Sequence, residues 1–414
     1  MKILVINAGS SSLKFQLFDM RAKRVIAKGN CDRIGLAGSF LRYSKNGTES
    51  TLEQSMPNHT VAIELVLSML VDKKVGVLSD MSEIYAVGHR FVHSGEDFTS
   101  SVVVTPEVMK ICRQNADLAP LHVPANIMGV EACRSAMPGT PMVLVFDTAF
   151  HSTMPEYAYM YALPYQSYTD WKVRRYGFHG TSHKYVSEQA AKFLGKELSD
   201  LKIITCHLGN GSSITAVDGG KSVDTSMGFT PLEGVPMGTR CGDVDAALIE
   251  YLMQKGDMSA SETLDYLNKK SGMLGLSGVS SDFRDLTAAE ESGNARAKLA
   301  LDVFCYRVKK YIGSYAAAMD GCDVIVFTAG IGENTWQVRE RVVGGLSFFG
   351  VELDREANRE GERGVEREIS TKNSRVKVLI IPTNEELVIA RETLELVGSK
   401  QVAETEEDQV RAGA

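Results

Sequence analysis

The chain has 414 residues, of which 44% are hydrophobic and 23% charged, and its formal net charge is −7. These proportions are those of an ordinary globular protein, and the length is sufficient for two domains. The acidic balance argues against non-specific binding of nucleic acid, because phosphate contacts require clustered lysine and arginine.

The sequence predicts neither a membrane segment nor a disulfide framework. The apolar run in MKILVINAGS is too short for a signal peptide, and no run approaches the roughly 18 apolar residues that a membrane helix requires. The seven cysteines are odd in number and show no C-x-x-C spacing, a pattern typical of reduced thiols. We therefore expect a cytoplasmic protein with no membrane partner and no nucleic-acid partner.

Apolar runs of strand length alternate along the chain with segments of helical periodicity. The helical patterns lie at 61–69, 127–133 and 299–319. Strands that are apolar on both faces and separated by such helices indicate an α/β protein with parallel or mixed sheets. The predicted strands are Ile3–Ile6, Leu13–Phe18, Met142–Phe146, Leu201–Cys206, Asp323–Phe327 and Val376–Ile381.

The strand–loop–strand pattern at the start of the chain, NAGSSSLKFQLFD, recurs in LKIITCHLGNGSSITAVDGG at 201–220. An offset of 201 residues (212 minus 11) places the serine pair at 212–213 on the pair at 11–12, which indicates two related halves. We predict one domain at 1–150 and a second at 151–384. A helix at about 385–400 is expected to pack back on the first domain, before a disordered tail at 401–414.

Three loops of small residues follow predicted strands and are candidates for binding phosphate. Small side chains let a ligand approach the backbone, and successive N–H groups bind an anion. The loops lie at 8–12, where Lys14 adds a cation, at 209–211, and at 329–334 before a helical pattern. A glycine turn between a strand and a helix is typical of a nucleotide site. The chain contains no G-x-x-x-x-G-K-[ST] motif, so it is not a P-loop enzyme.

Two arginines stand in sequence contexts that suit anion binding. Arg90 lies in GHRFVH at a strand end, and Arg240 lies in the glycine-flanked MGTRCGD. A guanidinium group binds carboxylate or phosphoryl oxygens through two hydrogen bonds at once. A surface ion pair is the commoner role of an arginine, so either role is open for each residue taken alone.

His179 directly precedes a predicted helix, which Thr181 or Ser182 would cap and Gly195 would end. With His183 it has the spacing of a metal-binding pair on a helix. A metal site needs a third ligand, and none stands at an informative spacing.

Acidic residues follow two of the predicted strands. Asp147 comes directly after PMVLVF, where an α/β protein places either a functional side chain or a turn-forming aspartate. In PTNEEL, Thr383 and Glu386 have the spacing of a capping box, which gives Glu386 a structural role. Glu385 is left as the candidate functional acid.

Nine motifs, spread from Met1 to about Val397, resemble those of the acetokinase family, within the group of sugar kinases, heat-shock chaperone ATPases and actin. The resemblance implies two actin-like (ribonuclease H-like) α/β domains, with mixed sheets flanked by helices and the nucleotide in the interdomain cleft. The motifs are NAGSSSLK, GHRFVH, FDTAFH, RRYGFHGTSH, HLGNGSS, GFTPLEGVPMGTR, SSDFRDL, AGIGEN and PTNEEL.

The reaction that the resemblance implies is reversible, direct in-line transfer of the ATP γ-phosphoryl group to acetate, giving acetyl phosphate and ADP. Mg²⁺, or alternatively Mn²⁺, is the expected metal, and Asn7 and Glu385 are expected to bind it. Catalytic roles are expected for Arg90, Asp147, His179 and Arg240. The acceptor site is expected to contain Arg90, Val92, Leu121, Phe178 and Pro231. The ATP site is expected to contain Ser10, Ser12, Lys14, His207, Leu208, Gly209, Asn210, Gly211, Asp282, Phe283, Arg284, Gly330, Ile331, Gly332, Glu333 and Asn334.

Two alternatives remain open at the level of sequence. Within the same family, the acceptor could be propionate or butyrate. In a different class, the chain could be an ATPase switch of the actin or chaperone type, which would not require the set of Arg90, His179 and Arg240. The family resemblance also implies a homodimer, without identifying its interface.

Overall fold

The computed structural model describes residues 1–120 and 122–412, with side chains up to residue 399, and it divides the chain into two compact units. The first unit contains Met1–Ala149 and Asn384–Ala414, and the second contains Phe150–Thr383. The break after Ala149 lies beside the expected boundary at residue 150. Leu121, which we expected in the acceptor site, lies outside the described residues.

The strands form one sheet in each unit. Those of the first unit are β1 (Lys2–Ala8), β2 (Ser12–Asp19), β3 (Arg24–Asp32), β4 (Phe40–Lys45), β5 (Thr48–Glu53), β6 (Ile84–Phe91), β7 (Val102–Val103) and β8 (Met142–Phe146). Those of the second unit are β9 (Lys202–Leu208), β10 (Ser212–Asp218), β11 (Lys221–Thr225), β12 (Val324–Thr328), β13 (Arg367–Glu368) and β14 (Lys377–Ile380).

The helices flank these sheets, and within residues 1–120 and 122–412 none is both long and apolar enough to cross a membrane. They are α1 (His59–Leu70), α2 (Pro106–Gln114), α3 (Val123–Ala136), α4 (Glu156–Tyr159), α5 (Gln166–Trp171), α6 (Gly180–Leu194), α7 (Leu248–Gly256), α8 (Ala260–Lys269), α9 (Gly272–Ser277), α10 (Phe283–Glu291), α11 (Ala295–Ala318), α12 (Ala329–Asn334), α13 (Trp336–Val343), α14 (Arg355–Arg359) and α15 (Glu385–Ala412).

Several helix boundaries differ from the predicted ones. Gly195 ends α6 in the left-handed conformation, as predicted, but Thr181 and Ser182 lie inside the helix, so neither caps it. The segment 329–334, predicted as a loop, is the short helix α12. The backbone of α15 is helical into 401–414, the segment for which we predicted disorder.

Side chains of β1 alternate between two apolar clusters on opposite faces of the first sheet. Leu4 and Ile6 pack in a cluster with α1 and α3, whereas Ile3 and Val5 pack in a cluster with α15. A strand covered on both faces must be apolar at every position, which explains why the sequence predicted it. The sheet order is β5-β4-β3-β2-β1-β6-β8-β7, in which β1, β6 and β8 are parallel.

The second sheet repeats the topology of the first, with the order β11-β10-β9-β12-β14-β13. An antiparallel meander (β9 to β11) is again followed by two parallel strands, β12 and β14. This confirms the predicted actin-like fold of two mixed sheets flanked by helices. The two hairpins differ in length, because Ala8 pairs with Leu13 whereas Leu208 pairs with Ser212. A single offset of 201 residues therefore cannot align both strands of the hairpin.

Candidate active site

In the first unit, the parallel strands β1, β6 and β8 bring three predicted site residues to one edge of the sheet. Asn7 and Arg90 each stand one residue before the end of their strand, and Asp147 directly follows β8. The N–H of Asp147 donates to the carbonyl of Phe91 at 3.0 Å, which ties this residue to the end of β6. Functional side chains of α/β proteins commonly lie at such carboxyl ends.

Arg90 and Asp147 form a two-point ion pair. Arg90 Nε donates to Asp147 Oδ1 at 3.0 Å, Nη2 donates to the other carboxylate oxygen, and Nη1 donates to Asn7 Oδ1 at 3.4 Å. Burial opposes the charge of Arg90, but the carboxylates of Asp147 and Glu385 outweigh it, so the pKa of Arg90 is raised. Three of the five guanidinium N–H groups are engaged, which leaves two for a bound anion.

The acid predicted to bind metal lies at the start of α15, close to this pair. Burial raises the pKa of Glu385 to about 7. The Arg90 guanidinium opposes that rise, whereas the carboxylates of Asp147 and Glu386 reinforce it. Glu385 thus belongs to the same charge cluster as the ion pair.

The predicted capping box of Thr383 and Glu386 is wrong. Asn384 caps α15, because its Oδ1 accepts from the N–H of Leu387 at 3.1 Å. The hydroxyl of Thr383 instead lies 2.8 Å from Ser182 Oγ in the second unit's own network. Because α15 begins at Glu385, Asn384 and not Thr383 stands directly before the helix and caps it.

The first hairpin loop has a compact backbone with exposed serine and lysine side chains. Gly9 N–H donates to the carbonyl of Ser12 at 2.8 Å, and His59 Nε2 donates to the carbonyl of Gly9 at 2.7 Å. Ser10 and Lys14, both predicted to bind ATP, are exposed. His59 was missed by sequence reasoning, because it lies in another element and carries no motif.

Asn126 joins the end of β1 to the end of β6. This side chain is 3% exposed; its Nδ2 donates to the carbonyl of Ala8 at 2.7 Å and its Oδ1 accepts from the N–H of Val92 at 3.0 Å. Val92 lies in a bend after β6, so the alternation of side chains along that strand does not extend from Arg90 to Val92. Asn126 therefore fixes the backbone of a predicted acceptor-site residue, and sequence reasoning missed it.

In the second unit, the segment before α6 adopts an unusual backbone. His179 has φ 56°, in the left-handed region that non-glycine residues rarely occupy, and Gly177 has φ 76°. A Cβ on Gly177 would lie 2.8 Å from His151 Cδ2, so only glycine fits there. His151 Nε2 donates to the carbonyl of Phe178 at 2.9 Å. Two predicted site residues, Phe178 and His179, are thus held by buried packing.

His179 is the outermost member of a chain of hydrogen bonds. Its Nδ1 lies 2.8 Å from Ser213 Oγ, which lies 2.7 Å from His183 Nε2, and His183 Nδ1 lies 2.6 Å from Thr205 Oγ1. The His207 ring stacks on the His179 ring with a centroid distance of 4.1 Å and an interplanar angle of 24°. The structure thus brings His179 and His207 together.

Burial keeps two further imidazoles of this cluster neutral. It lowers the pKa of His151 to about 4, although the contact with the Phe178 carbonyl works in the opposite direction. Burial also holds the pKa of His183 well below its ordinary value, with contributions from His151 and His207. Among the described residues, no group of three or more histidine, cysteine, aspartate or glutamate side chains could hold a metal ion, so His179 and His183 have no third ligand there.

Arg240 lies beside His179 and the second hairpin loop. A Cβ on Gly211 would lie 3.5 Å from Arg240 Nη1 and 3.6 Å from His179 Nε2. Arg240 Nη1 donates to the carbonyl of Pro231 at 3.2 Å and contacts Met237 Sδ at 3.6 Å. Within the described residues it forms no ion pair, and burial lowers its pKa. Its charge is therefore not neutralised by a carboxylate of its own unit.

The loop that carries Pro231 is anchored by Arg175, which sequence reasoning did not single out. Arg175 Nη1 donates to the carbonyls of Thr225 at 2.9 Å and Ser226 at 3.1 Å, and Nη2 pairs with Glu233 at 2.5 Å. Arg175 stands in the motif RRYGFHG. The motif therefore includes Arg175, but it does not indicate that Glu233 is the partner of this arginine.

A cavity of about 490 Å³ in the second unit contains eight of the residues predicted to bind ATP. Ser281, Thr335 and Arg363 line it as well and were not predicted. Its lining is Gly209, Asn210, Ser281, Asp282, Phe283, Arg284, Gly330, Ile331, Asn334, Thr335 and Arg363.

Other residues of the predicted ATP site have structural partners. Glu333 Oε1 accepts from the N–H of Thr383 at 3.4 Å, and burial raises its pKa. A Cβ on Gly332 would lie 3.7 Å from Leu208 Cβ, an ordinary contact distance, so Gly332 lies against the end of β9. Neither Gly332 nor Glu333 lines the cavity.

The fold and the residues at its strand ends define a phosphotransferase of the actin-like class. The chain belongs to the acetokinase family, whose model matches residues 2–391. It is 59% identical to the acetate kinase of Acetivibrio thermocellus over 398 residues, which is 96% of this chain and 99% of that protein. It is 58% identical to the acetate kinase of Caldicellulosiruptor bescii, over 96% of this chain and all of that protein.

Solved structures agree with these relationships. The crystal structure of Porphyromonas gingivalis acetate kinase matches with a TM-score of 0.92 at 50% identity, covering 96% of this chain and 99% of that one. The crystal structure of a propionate kinase from Francisella tularensis matches with a TM-score of 0.89 at 40% identity, covering 95% of this chain and 99% of that one.

Proposed function

We propose that this enzyme transfers the γ-phosphoryl group of ATP to acetate, reversibly and directly in line, to give acetyl phosphate and ADP. The observation that carries this proposal is the proximity of Arg240, His179 and Gly211 in the second unit. Arg240, a cation with no ion pair in the part of the chain that the structure describes, forms with an imidazole and a glycine a site that suits a phosphoryl group.

The chemistry requires that negative charge be stabilised on the transferring phosphoryl oxygens and that an anionic carboxylate be held near them. Arg240 and His179 suit the first task, because their donors lie beside a loop of backbone N–H groups. Arg90 suits the second, because its two remaining N–H groups can bind a carboxylate while Asp147 fixes the guanidinium plane. The cavity of about 490 Å³ suits the nucleoside of ATP.

The donor set of Asn7 and Glu385 fits Mg²⁺, with Mn²⁺ as an alternative. Mg²⁺ prefers oxygen ligands and is usually bound through one or two carboxylates, waters and substrate phosphates. Asn7 offers an amide oxygen and Glu385 a carboxylate in the charge cluster of the first unit. These two residues would hold the ion, which when bound neutralises charge on the ATP phosphates.

The acceptor site would be closed by apolar side chains, which favours a short carboxylic acid. Val92 and Phe178 are 5% and 3% exposed, and Pro231 lies on the loop that Arg175 anchors. Propionate is the second candidate acceptor, because a solved relative at 40% identity is a propionate kinase. We further propose that the enzyme is cytoplasmic and homodimeric, and that neither nucleic acid nor membrane is a partner.

The test is ADP release from ATP and Mg²⁺, measured with and without acetate, with acetyl phosphate trapped by hydroxylamine. We expect ADP only when acetate is present, in equal amount to the trapped product. An ATPase switch would instead release ADP without acetate.

Arg240 supplies the matched pair of variants for this assay. Arg240→Ala should lower turnover by about 100-fold or more, the scale of losing one transition-state donor. Arg296→Ala is the control, because Arg296 likewise donates to backbone carbonyls, those of Leu276 and Gly275, and is exposed. Normal turnover of Arg240→Ala would remove Arg240 from the mechanism.

A further inference from the structure

Arg339 is a buried cation whose hydrogen-bond acceptors, within the described part of the chain, are all uncharged. Its side chain lies on α13 and is 1% exposed, and it forms no ion pair with a described residue. Burial lowers the pKa of Arg339 to about 10, and the guanidinium group of Arg367 lowers it as well. Arg339 therefore remains charged at neutral pH, and dipoles rather than a carboxylate stabilise that charge.

Two of the acceptors are carbonyl groups near the end of α12. The chain leaves the helical conformation at Thr335, whose φ and ψ are −112° and 88°, so the end of α12 needs donors from elsewhere. Arg339 Nη1 donates to the carbonyls of Gly332 and Glu333, at 2.9 Å each. A cation at the C-terminal end of a helix also suits the helix dipole.

The other two acceptors belong to Asn358, near the end of α14. Arg339 Nε donates to Asn358 Oδ1 at 2.8 Å, and Nη2 donates to the carbonyl of Asn358 at 2.7 Å. Asn358 is fully buried, and its Nδ2 donates to the carbonyl of Trp336 at 3.1 Å, at the start of α13. A guanidinium group only donates, so the direction of all four hydrogen bonds from Arg339 is fixed. One side chain thus joins α12, α13 and α14.

The helix that Arg339 holds has little stability of its own. α12 has six residues, of which Gly330 and Gly332 are glycines, and an isolated helix of this length is not stable in water. It begins at Ala329, whose φ of 63° lies in the left-handed region that glycine occupies without strain and alanine does not. The conformation of α12 must therefore be imposed by its surroundings.

α12 forms part of the wall of the cavity of about 490 Å³. Gly330, Ile331 and Asn334 line this cavity, and a Cβ on Gly330 would meet no described atom within 4 Å. Arg363, on the segment after α14, lines the same cavity, so two of the elements that Arg339 joins lead into its wall. Arg339 itself is not among the lining residues, and a substitution there reaches the site only through these elements.

We propose that Arg339 is a positioning residue of the nucleotide site, which holds α12 in the conformation that binds the nucleoside of ATP before any ligand is present. This inference rests on the proposed function, because it takes the cavity as the site of the nucleoside. Buried ions can often be replaced by apolar side chains without loss of stability, so stability alone does not require an arginine here. The forked guanidinium group is required, because it reaches two carbonyls of α12 and two acceptors of Asn358 at once.

Two substitutions of Arg339 and a control on the same helix test this role. Arg339→Met has an apolar side chain of similar length and loses all four hydrogen bonds. Arg339→Lys keeps the charge, but a single ammonium group cannot reach α12 and Asn358 together. Arg341→Met is the control, because Arg341 also lies on α13 and donates to both carboxylate oxygens of Glu290, at 2.6 and 2.7 Å. Its loss should lower stability without changing α12.

The first readout is the dissociation constant of ADP, measured by titration calorimetry in the absence of acetate. It should rise by about 10-fold in Arg339→Met, the scale of one hydrogen bond to a charged group, and by a smaller factor in Arg339→Lys. Arg341→Met should bind ADP as the wild type does. In steady-state assays, KM for ATP should rise in the same order, whereas KM for acetate and kcat at saturating ATP should change by less than about 2-fold. Wild-type ADP affinity in the Arg339 variants, or equal rises in both KM values, would overturn the inference.

The second readout uses the wild type alone. Amide hydrogen exchange of the segment 329–336, followed by mass spectrometry, should be slow without nucleotide, because Arg339 already holds α12. Fast exchange that becomes slow only when ADP binds would show that the ligand orders the helix, and it would overturn the inference even if both Arg339 variants failed to fold. If the wild type bound ADP but did not phosphorylate acetate, the proposed function would be wrong, and the effect of Arg339 on ADP affinity would still be measured.

Discussion

The carboxylate of Asp147 accepts two hydrogen bonds from the guanidinium of Arg90, and these two residues lie 57 positions apart in the chain. Asp147 is 1% exposed, and removing Arg90 would leave this buried carboxylate without its ion-pair partner. The pair exists because β6 and β8 are adjacent parallel strands that end at the same edge. Because the ion pair restrains the guanidinium group of Arg90, the two remaining N–H groups of that arginine point in a fixed direction.

Asp147→Asn should therefore damage catalysis through Arg90. The amide keeps the size of the side chain, but it places an N–H group where Arg90 requires an acceptor. We expect kcat/KM for acetate to fall by about 100-fold, comparable with the loss of a catalytic donor. Glu131→Gln is the control, because Arg113 and Glu131 form an ion pair in the same unit with side chains 51% and 46% exposed. Such a pair contributes little, so kcat/KM should not change. If Asp147→Asn kept the wild-type kcat/KM for acetate, Asp147 would not be needed to orient Arg90.

At the start of α15, variants can separate the proposed metal-binding role of Glu385 from the capping role of Asn384. Glu385→Gln should raise the Mg²⁺ concentration for half-maximal activity by about 10-fold or more, because a carboxylate ligand is lost. Asn384→Ala removes the observed cap and should lower the free energy of unfolding by about 1 kcal/mol without moving the Mg²⁺ dependence.

Glu386→Gln completes this comparison. Because Glu386 is not a capping residue, the substitution should leave the stability of α15 nearly unchanged. Its effect on the Mg²⁺ requirement should be smaller than that of Glu385→Gln. Equal effects of the two glutamine variants in a magnesium titration would contradict the assignment of Glu385.

The size of the carboxylic acid that the enzyme accepts should depend on Val92. Val92→Ala removes two methyl groups from a buried side chain whose backbone Asn126 holds in place. We expect the ratio of kcat/KM for propionate to that for acetate to rise by about 5-fold or more, since one methylene in an apolar pocket is worth about 1–3 kcal/mol. Val143→Ala, at a fully buried position on β8, should lower stability and leave the ratio unchanged. An unchanged ratio in Val92→Ala would mean that Val92 does not limit the acceptor.

His89 should make the protein sensitive to acid. Burial lowers the pKa of His89 to about 3, and its Nε2 has no hydrogen-bond partner among the described residues. The unfolded chain binds a proton at this residue below about pH 6.5, whereas the folded protein does so only near pH 3, so the free energy of unfolding falls as pH falls through this window.

His89→Leu should remove this contribution. Between pH 7 and pH 4, we expect the free energy of unfolding of the variant to fall by about 3 kcal/mol less than that of the wild type, at 1.36 kcal/mol per unit of pKa difference. Urea unfolding at several pH values measures both curves. His151, whose pKa burial lowers to about 4, remains in both proteins and accounts for part of the shared slope. Parallel curves would show that His89 does not titrate in this window.

The sequence predicted the parts of the fold that are apolar on both faces. Met142–Phe146 was predicted with its observed bounds, because a strand buried between two helical layers has no polar positions. The edge strand Thr48–Glu53 is exposed along its whole length and therefore carries no apolar signal. The spacing of Thr383 and Glu386 predicted Thr383 as the cap of α15. The helix begins at Glu385, so Asn384 is the capping residue instead.

The family motifs predicted the main candidate site residues, but they did not predict the residues that support them. Arg90, Asp147 and His179 stand in motifs of the family, so their positions could be assigned from the sequence. Asn126 acts through contacts with residues from other elements, and such contacts are visible only in three dimensions. Arg363 lines the predicted nucleotide cavity from a segment with no motif at all.

The most direct test of the account is one coupled assay of ADP formation that compares kcat/KM for acetate, propionate and butyrate. If the proposed acceptor residues are correct, each added methylene meets apolar side chains that cannot reject it through a polar group. We predict that acetate is used best, that propionate is poorer by about 10-fold, and that butyrate is poorer still. Propionate used as well as acetate or better, or ADP formed at the same rate with no acid present, would contradict the account.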